Sequence, residues 1–283
     1  MPLPLMHPAR CVLSAGCWFD LESIKDFGLS QRLTPGARLE ARGEGAWRLE
    51  IPAGPRGRYR LAQLDDYAGL KRRDYKWNAP LRMKLEARAS EKALPGTWGF
   101  GFWNDPFGMA LFSGAEPLRI PALPNAAWFF FASPHNYLSL RDDLPAEGSL
   151  AAIFRSPRLP AVLLAPTLLG LPLLMARPAA RMLRKLARRF VQQDAARLPL
   201  TPTEWHTYVV DLSHGTALFQ VDGEKALETT FIPLGPLGFV MWIDNQYAAF
   251  RPDGSVGFGS LENPQPAWIE IRGLVLDNPA GRD

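Results

Sequence analysis

Cysteine is scarce in this chain: Cys11 and Cys17 are the only two. No secretory signal precedes them, because MPLPLMHPAR places prolines at 2, 4 and 8 and has no basic stretch before an apolar core. Free thiols in a cytoplasmic protein are therefore expected, a Cys11–Cys17 bridge being the alternative. Histidine is equally thin. His7, His135, His206 and His214 show no metal-ligand spacing, so no metal is expected. No glycine-rich phosphate loop stands before a helix and no Gly-x-Ser-x-Gly elbow occurs, so no cofactor is expected. Acidic residues are nearly missing from 151–200, where Asp194 faces nine Lys and Arg residues. That stretch carries +8 in a chain of net +4, which leaves the remainder at −4. Basicity is thus local, marking one surface rather than a nucleic-acid-coating protein, and no nucleic-acid partner is expected.

Long uncharged runs are also few. Leu159 to Ala176 is one, bounded by Arg158 and Arg177, but Pro160, Pro166 and Pro172 recur every six residues. Lipid cannot replace the helix hydrogen bonds those prolines remove, which argues against a membrane span. Arg177 to Leu198 differs. Met182, Leu186 and Phe190 recur at i and i+4 with Leu183, Ala187 and Val191, and Arg181, Arg184, Lys185, Arg188 and Arg189 lie between them, the pattern of a basic amphipathic helix.

What is abundant is the chemistry of strands and turns: 27 prolines, 24 glycines, 11% aromatics and 47% hydrophobic residues. LPGTWGFGFWNDPF, residues 94–107, organises the rest. Trp98, Phe100, Phe102 and Asn104 alternate with Gly99, Gly101, Trp103 and Asp105, the period of a strand, and the two glycines leave room for close approach on one face. Arg38 to Pro52 reads as a hairpin through Gly43-Glu44-Gly45. Arg56 to Leu70 offers a strand with Tyr59, Leu61 and Leu64 inward, and Pro80 to Ala89 a half-buried one. Short apolar pieces at Cys17–Phe19 and Met109–Phe112 read as further strands. Ala126 to Tyr137 is nearly continuously apolar, suited to a strand covered on both faces. Strand rhythm stops over 143–200 and returns at Glu204, with a tight hairpin at Asp222-Gly223. Leu237–Ile243 and Trp268–Leu276 are the last strands, with an irregular loop between them.

Three segments carry a resemblance. EWHTYVVDLSHGTALFQVDGEKAL (204–227) resembles the "W-H-x-Y … F-x-V-D-G-K" hairpin of the family-sixteen, laminarinase-like glycoside hydrolases. LRMKLEARASEKALPGTWGFGFW (81–103) looks like their strand pair leading into the sugar-binding face, and WIEIRGLVL (268–276) sits where they place a final strand. The resemblance implies an all-β, concanavalin-A-like jelly roll: two antiparallel sheets in one domain spanning 1–283, with 143–200 as an apolar and basic helical insertion. It departs from those hydrolases where they carry acid-x-acid-x-x-acid. The strand in that position is Ala127-Trp128-Phe129-Phe130-Phe131-Ala132, and no carboxylate lies between Glu116 and Asp142, so their retaining chemistry is not expected.

Candidate site residues gather at strand ends. Asn104 and Asp105 suit a hydroxylated ligand, or else an Asx turn before Pro106. Trp98, Trp103 and Trp242 suit ring stacking, or else core packing. Asp244, Asn245 and Gln246 end an apolar strand and were they to face Asn104 and Asp105, two carboxylates would serve acid–base work; a polar turn is the plainer alternative. His135, Asn136 and Tyr137 complete the pocket or form a solvent-facing loop. In the insertion, Leu163, Leu164, Leu168 and Leu169 with Arg184, Lys185 and Arg188 are the expected membrane contacts, the alternative being a flap packed on the protein's own surface.

Three functions follow. One is a non-hydrolytic protein whose concave face binds a glycan, glycolipid or apolar ring-bearing ligand, the insertion acting as lid or membrane foot. Another is an enzyme using Asp105, Asp244 or His135 on a lipid-like or terpenoid substrate. The third is a structural interaction module. The expected partners are a small-molecule or glycan ligand and an anionic membrane surface met through 155–198, which makes the protein cytoplasmic or peripheral at a membrane.

Overall fold

A computed structural model describes residues 28–43, 45–106, 121–159 and 176–278. Two seven-stranded antiparallel sheets face each other. The first runs β1 (Ser30–Leu33), β4 (Leu61–Asp65), β13 (Gly238–Asp244), β6 (Thr97–Trp103), β7 (Ala126–Ala132), β8 (Gly148–Arg155) and β9 (Gln192–Arg197). The second runs β12 (Glu224–Thr229), β11 (Ala217–Val221), β10 (His206–Leu212), β5 (Leu81–Ala89), β16 (Ala267–Asp277), β3 (Ala46–Ile51) and β2 (Arg38–Gly43). This is the expected all-β jelly-roll sandwich.

The alternation read from the sequence decides which residues fill the core. On β5, Leu81, Met83, Leu85, Ala87 and Ala89 are buried while Arg82 and Lys84 are exposed. From the first sheet, Trp98, Phe100 and Phe102 point into the space between the sheets with Phe129, Phe131, Phe239 and Met241, and meet Tyr208, Phe219, Leu49 and Ile271 of the second. The Asp222-Gly223 turn has positive φ at both residues, 53° and 84°, as a two-residue hairpin requires.

The central strands of the first sheet, β4, β13, β6 and β7, are buried on both faces. On the sheet's outer face, away from the second sheet, lie Leu61, Trp103, Trp128, Phe130, Phe154, Val240 and Trp242. Here the two glycines of β6 find their purpose: a Cβ on Gly99 would meet the Phe129 carbonyl and the Trp242 ring, and one on Gly101 the backbone of Ala127 and Trp128. Room left on one face is taken by tryptophans of the neighbouring strands.

Residues 143–200 are a narrower insertion than the sequence implied. Its two ends are β8 and β9, which pair with each other and complete the first sheet beside β7. Apolar runs buried on both faces show no helix- or strand-specific period, which is why Leu150–Phe154 escaped notice. Between them stands one described helix, α1 (Arg177–Phe190). The loop expected after β13 is instead a separate hairpin, β14 (Gln246–Phe250) with β15 (Val256–Ser260). Cys11, Cys17, the pieces at 17–19 and 109–112, and Leu163, Leu164, Leu168 and Leu169 lie outside the described residues. No described helix is long and apolar enough to cross a membrane.

Candidate ligand-binding face

Antiparallel register puts directly opposed residues on one face of a sheet. Arg32 of β1 opposes Gln63 of β4, Gln63 opposes Trp242 of β13, and Trp242 opposes Gly99 of β6. The outer face therefore carries a row that passes from charged to amide to indole. Trp242, Trp103 and Trp128 cluster beyond it, with Trp103 and Trp242 nearly parallel at 6.4 Å and Trp128 5.7 Å from each. All three are nearly buried, 7–8% exposed.

Around the start of this row sit polar groups that sequence reasoning missed. Asp65 is fully buried, accepts from Gln63 Nε2 at 2.8 Å and from the Tyr67 amide at 3.2 Å. Burial raises its pKa against those hydrogen bonds and the charge of Arg32. Tyr59 packs on the outer-face cluster, and burial, helped by the charge of Asp244, pushes its phenol well above its ordinary range. Arg32 Nη1 and Tyr59 Oη are both buried with no hydrogen-bond partner among the described residues. The signal was present in Leu61-Ala62-Gln63-Leu64-Asp65, where polar residues recur with period two inside a buried strand.

Asp244 ends β13 opposite Thr97. Its Oδ1 accepts from the Thr97 amide at 3.1 Å, the Thr97 hydroxyl at 2.9 Å and the Gln246 amide at 3.1 Å. Burial outweighs all three and lifts its pKa to about 7. Trp242 Nε1 donates to the same Thr97 hydroxyl at 3.0 Å.

The expected convergence of Asp105 with Asp244 does not occur. Asp244 sits at Thr97, the first residue of β6, and Asp105 lies two residues past Trp103, the last; the strand between them spans about 20 Å. Asp105 is fully buried with φ 46°, and its carbonyl accepts from Arg72. Asp65 opposes Val240, four residues from Asp244, so those two are offset by about 13 Å along the strands.

The amides expected to touch ligand are latches between loops. Asn104 bonds Leu123 and Asn125. Asn136 bonds Gly96, Ser133 and Ala248, and Asn245 bonds Arg58, Arg60 and Leu261. Backbone polar groups buried where chains cross need partners, and a short amide side chain supplies both donor and acceptor. Gln246 contributes its backbone amide to Asp244. His135 is exposed beside Tyr247, 5.9 Å between rings, and has no part in the Asp244 cluster's hydrogen bonding. Trp98 stacks on Phe131 at 3.6 Å between the sheets, and the two line a cleft of about 250 Å³ with Lys92, Glu147 and Arg197.

Arg184, expected at a membrane, is 3% exposed. Its Nη1 donates to the carbonyls of Ser139 and Phe250, both at 2.7 Å, its Nη2 to Asp142 at 2.8 Å, and its guanidinium lies 5.4 Å from the Tyr137 ring. Arg188 also pairs with Asp142, at half exposure, and Lys185 is exposed. Among the described residues no cluster of His, Cys, Asp and Glu suits a metal.

No family model matches this sequence, and neither does any curated protein. Solved structures do resemble the fold. A glycoside hydrolase family protein from Mycobacterium thermorestibile has 13% identity over 85% of this chain and 79% of its own, at a TM-score of 0.45. The legume lectin-like domain from Entamoeba histolytica has 9% identity over 91% and 92%, at 0.45. A Bacteroides ovatus family-sixteen glycoside hydrolase from a mixed-linkage glucan locus has 10% over 88% and 94%, at 0.44.

Proposed function

We propose that this chain is a non-hydrolytic binding protein whose ligand, a small glycan or other polar ring-bearing molecule, meets the outer face between Arg32 and Tyr59 and beside Trp242. The observation that carries this reading is the pair of buried, unpartnered polar atoms on one face. A buried donor without a partner costs about 1–3 kcal/mol, so two of them, one in the row that runs through Gln63 to Trp242 and one packed on the outer-face cluster, mark a place made for an acceptor-bearing ring. Support for binding over hydrolysis comes from the carboxylates. Retaining chemistry needs two carboxyls about 5 Å apart and inverting chemistry about 6.5–9.5 Å, whereas Asp65 and Asp244 are offset by about 13 Å along their strands. On this reading the protein works in the cytoplasm.

A second reading, an acid–base enzyme centred on Asp244, draws on that residue's pKa of about 7, which keeps a proton exchanger available at neutral pH. One experiment separates the two. Calorimetric titration with β-linked glucose oligosaccharides is expected to show binding that Arg32→Ala and Tyr59→Phe each weaken about tenfold, as loss of one hydrogen bond would. The same mixtures should release no new reducing ends. Reducing-end release that Asp244→Asn abolishes would replace the binding reading with the enzyme. Failure of the oligosaccharides to bind, together with no co-purifying ligand in native mass spectra, removes both.

A further inference from the structure

Helix α1 is mounted with its apolar side out. Its buried residues are Ala180 and Arg184, whereas Met182, Leu186 and Phe190 are 71%, 46% and 44% exposed. Spaced four apart, these three form one ridge along the helix. Arg181, Lys185 and Arg189, all exposed and without an ion pair among the described residues, form the row beside it. A flap packed on its own protein would bury the opposite face, since burial of Met, Leu and Phe is what ordinarily holds a surface helix down. Here the helix is held by its arginine. The Arg184 guanidinium ties it to the carbonyls of Ser139 and Phe250 and to Asp142, and the turn of the β14–β15 hairpin abuts it, with Gly254 against the Arg177 carbonyl and Arg181 Cγ. That hairpin adds Phe258, 76% exposed, on the face that carries Phe250, whose ring lies 5.9 Å from the Arg184 guanidinium.

At the N-terminal end of the helix the charges fit its stability poorly. The helix has no acidic residue, and Arg177 and Arg181 stand in its first turns, where the helix dipole disfavours cations. They fit an anionic plane well. We propose that the Met182–Leu186–Phe190 ridge of α1 docks on an anionic lipid surface, inserting its apolar side chains at headgroup depth while Arg181, Lys185 and Arg189 meet the headgroups. A second copy of this chain would set these cations against their own kind across a two-fold axis, and the cores of protein interfaces are depleted of charge. An anionic bilayer satisfies both rows at once. The proposal is independent of the ligand reading, which concerns the outer face of the first sheet.

Flotation of the full chain with phosphatidylcholine vesicles containing about one-third phosphatidylserine tests it. The protein is expected to float with these vesicles, to float poorly with phosphatidylcholine alone, and to be released as salt rises. Arg181→Gln/Lys185→Gln/Arg189→Gln should weaken binding about a hundredfold, about fivefold for each cation. Met182→Ser/Leu186→Ser/Phe190→Ser should weaken it about tenfold or more at unchanged charge. Both sets lie on exposed positions, so their thermal unfolding should match the parent's and oligosaccharide binding should persist. A parent chain that ignores anionic vesicles overturns the proposal. So does a serine variant that floats like the parent, or a self-association of the parent that the serine variant abolishes.

Discussion

The Thr97 hydroxyl stands between Trp242 and Asp244: it donates to Asp244 Oδ1 at 2.9 Å and accepts from the Trp242 indole N–H at 3.0 Å. One small side chain thus sets both the polar and the aromatic member of the outer face. Thr97→Val keeps the shape and removes the hydroxyl, leaving a buried indole N–H unmatched and Asp244 one donor short. A loss of about 2–4 kcal/mol is expected, measured as a shift of the denaturant midpoint, with Thr97→Ser recovering most of it.

Asp244 makes stability depend on pH in a definite direction. Its folded pKa of about 7 lies above the ordinary carboxylate value of 3.8, so the folded state binds this proton more tightly than the unfolded chain. The stabilisation this gives is complete below the unfolded value and is lost as pH rises toward and through 7, a change on the order of 4 kcal/mol. Asp65 and Asp66, raised by burial, act with the same sign. Asp142, held low first by the Arg184 hydrogen bond, acts oppositely and matters only in acid. Asp244→Asn keeps an oxygen acceptor for Thr97 and Gln246. Chemical denaturation across pH 5–9, a range of about two units on each side of neutrality, should therefore show a flatter profile and a variant more stable than the parent on the alkaline side.

Gly99 is expected to tolerate no side chain. A Cβ there would strike the Phe129 carbonyl, which is sheet backbone, and touch the Trp242 ring at 3.0 Å. Gly99→Ala should cost more than about 3 kcal/mol or abolish folding, read by expression and thermal melts. Gly223→Ala, with nothing near its Cβ, should cost only the strain of its positive φ, about 1 kcal/mol.

Arg184→Met retains length and loses the polar clamp on Ser139, Phe250 and Asp142. A loss of about 2–4 kcal/mol is expected. Hydrogen exchange should show where: residues 177–190 and the β14–β15 hairpin open sooner, while the central strands β6 and β7 keep their protection.

The amino-acid sequence by itself determined the strands and their faces. Alternation along 81–89 and 98–103, and Asp222-Gly223 between two strands, are local facts of stereochemistry, so β5, β6 and the β11–β12 hairpin are legible without any partner. Only the tertiary structure decided what the polar residues do. Asn104, Asn136 and Asn245 look like ligand contacts in sequence because their partners, loop amides and carbonyls, come from distant segments. Arg184 looks like a surface cation until the carbonyls of Ser139 and Phe250 are brought to it, and Gln63 reaches Trp242 only across the pairing of β4 with β13. Backbone geometry fixes where a side chain points along its own strand, but its hydrogen-bond partners depend on long-range register, which no local pattern contains.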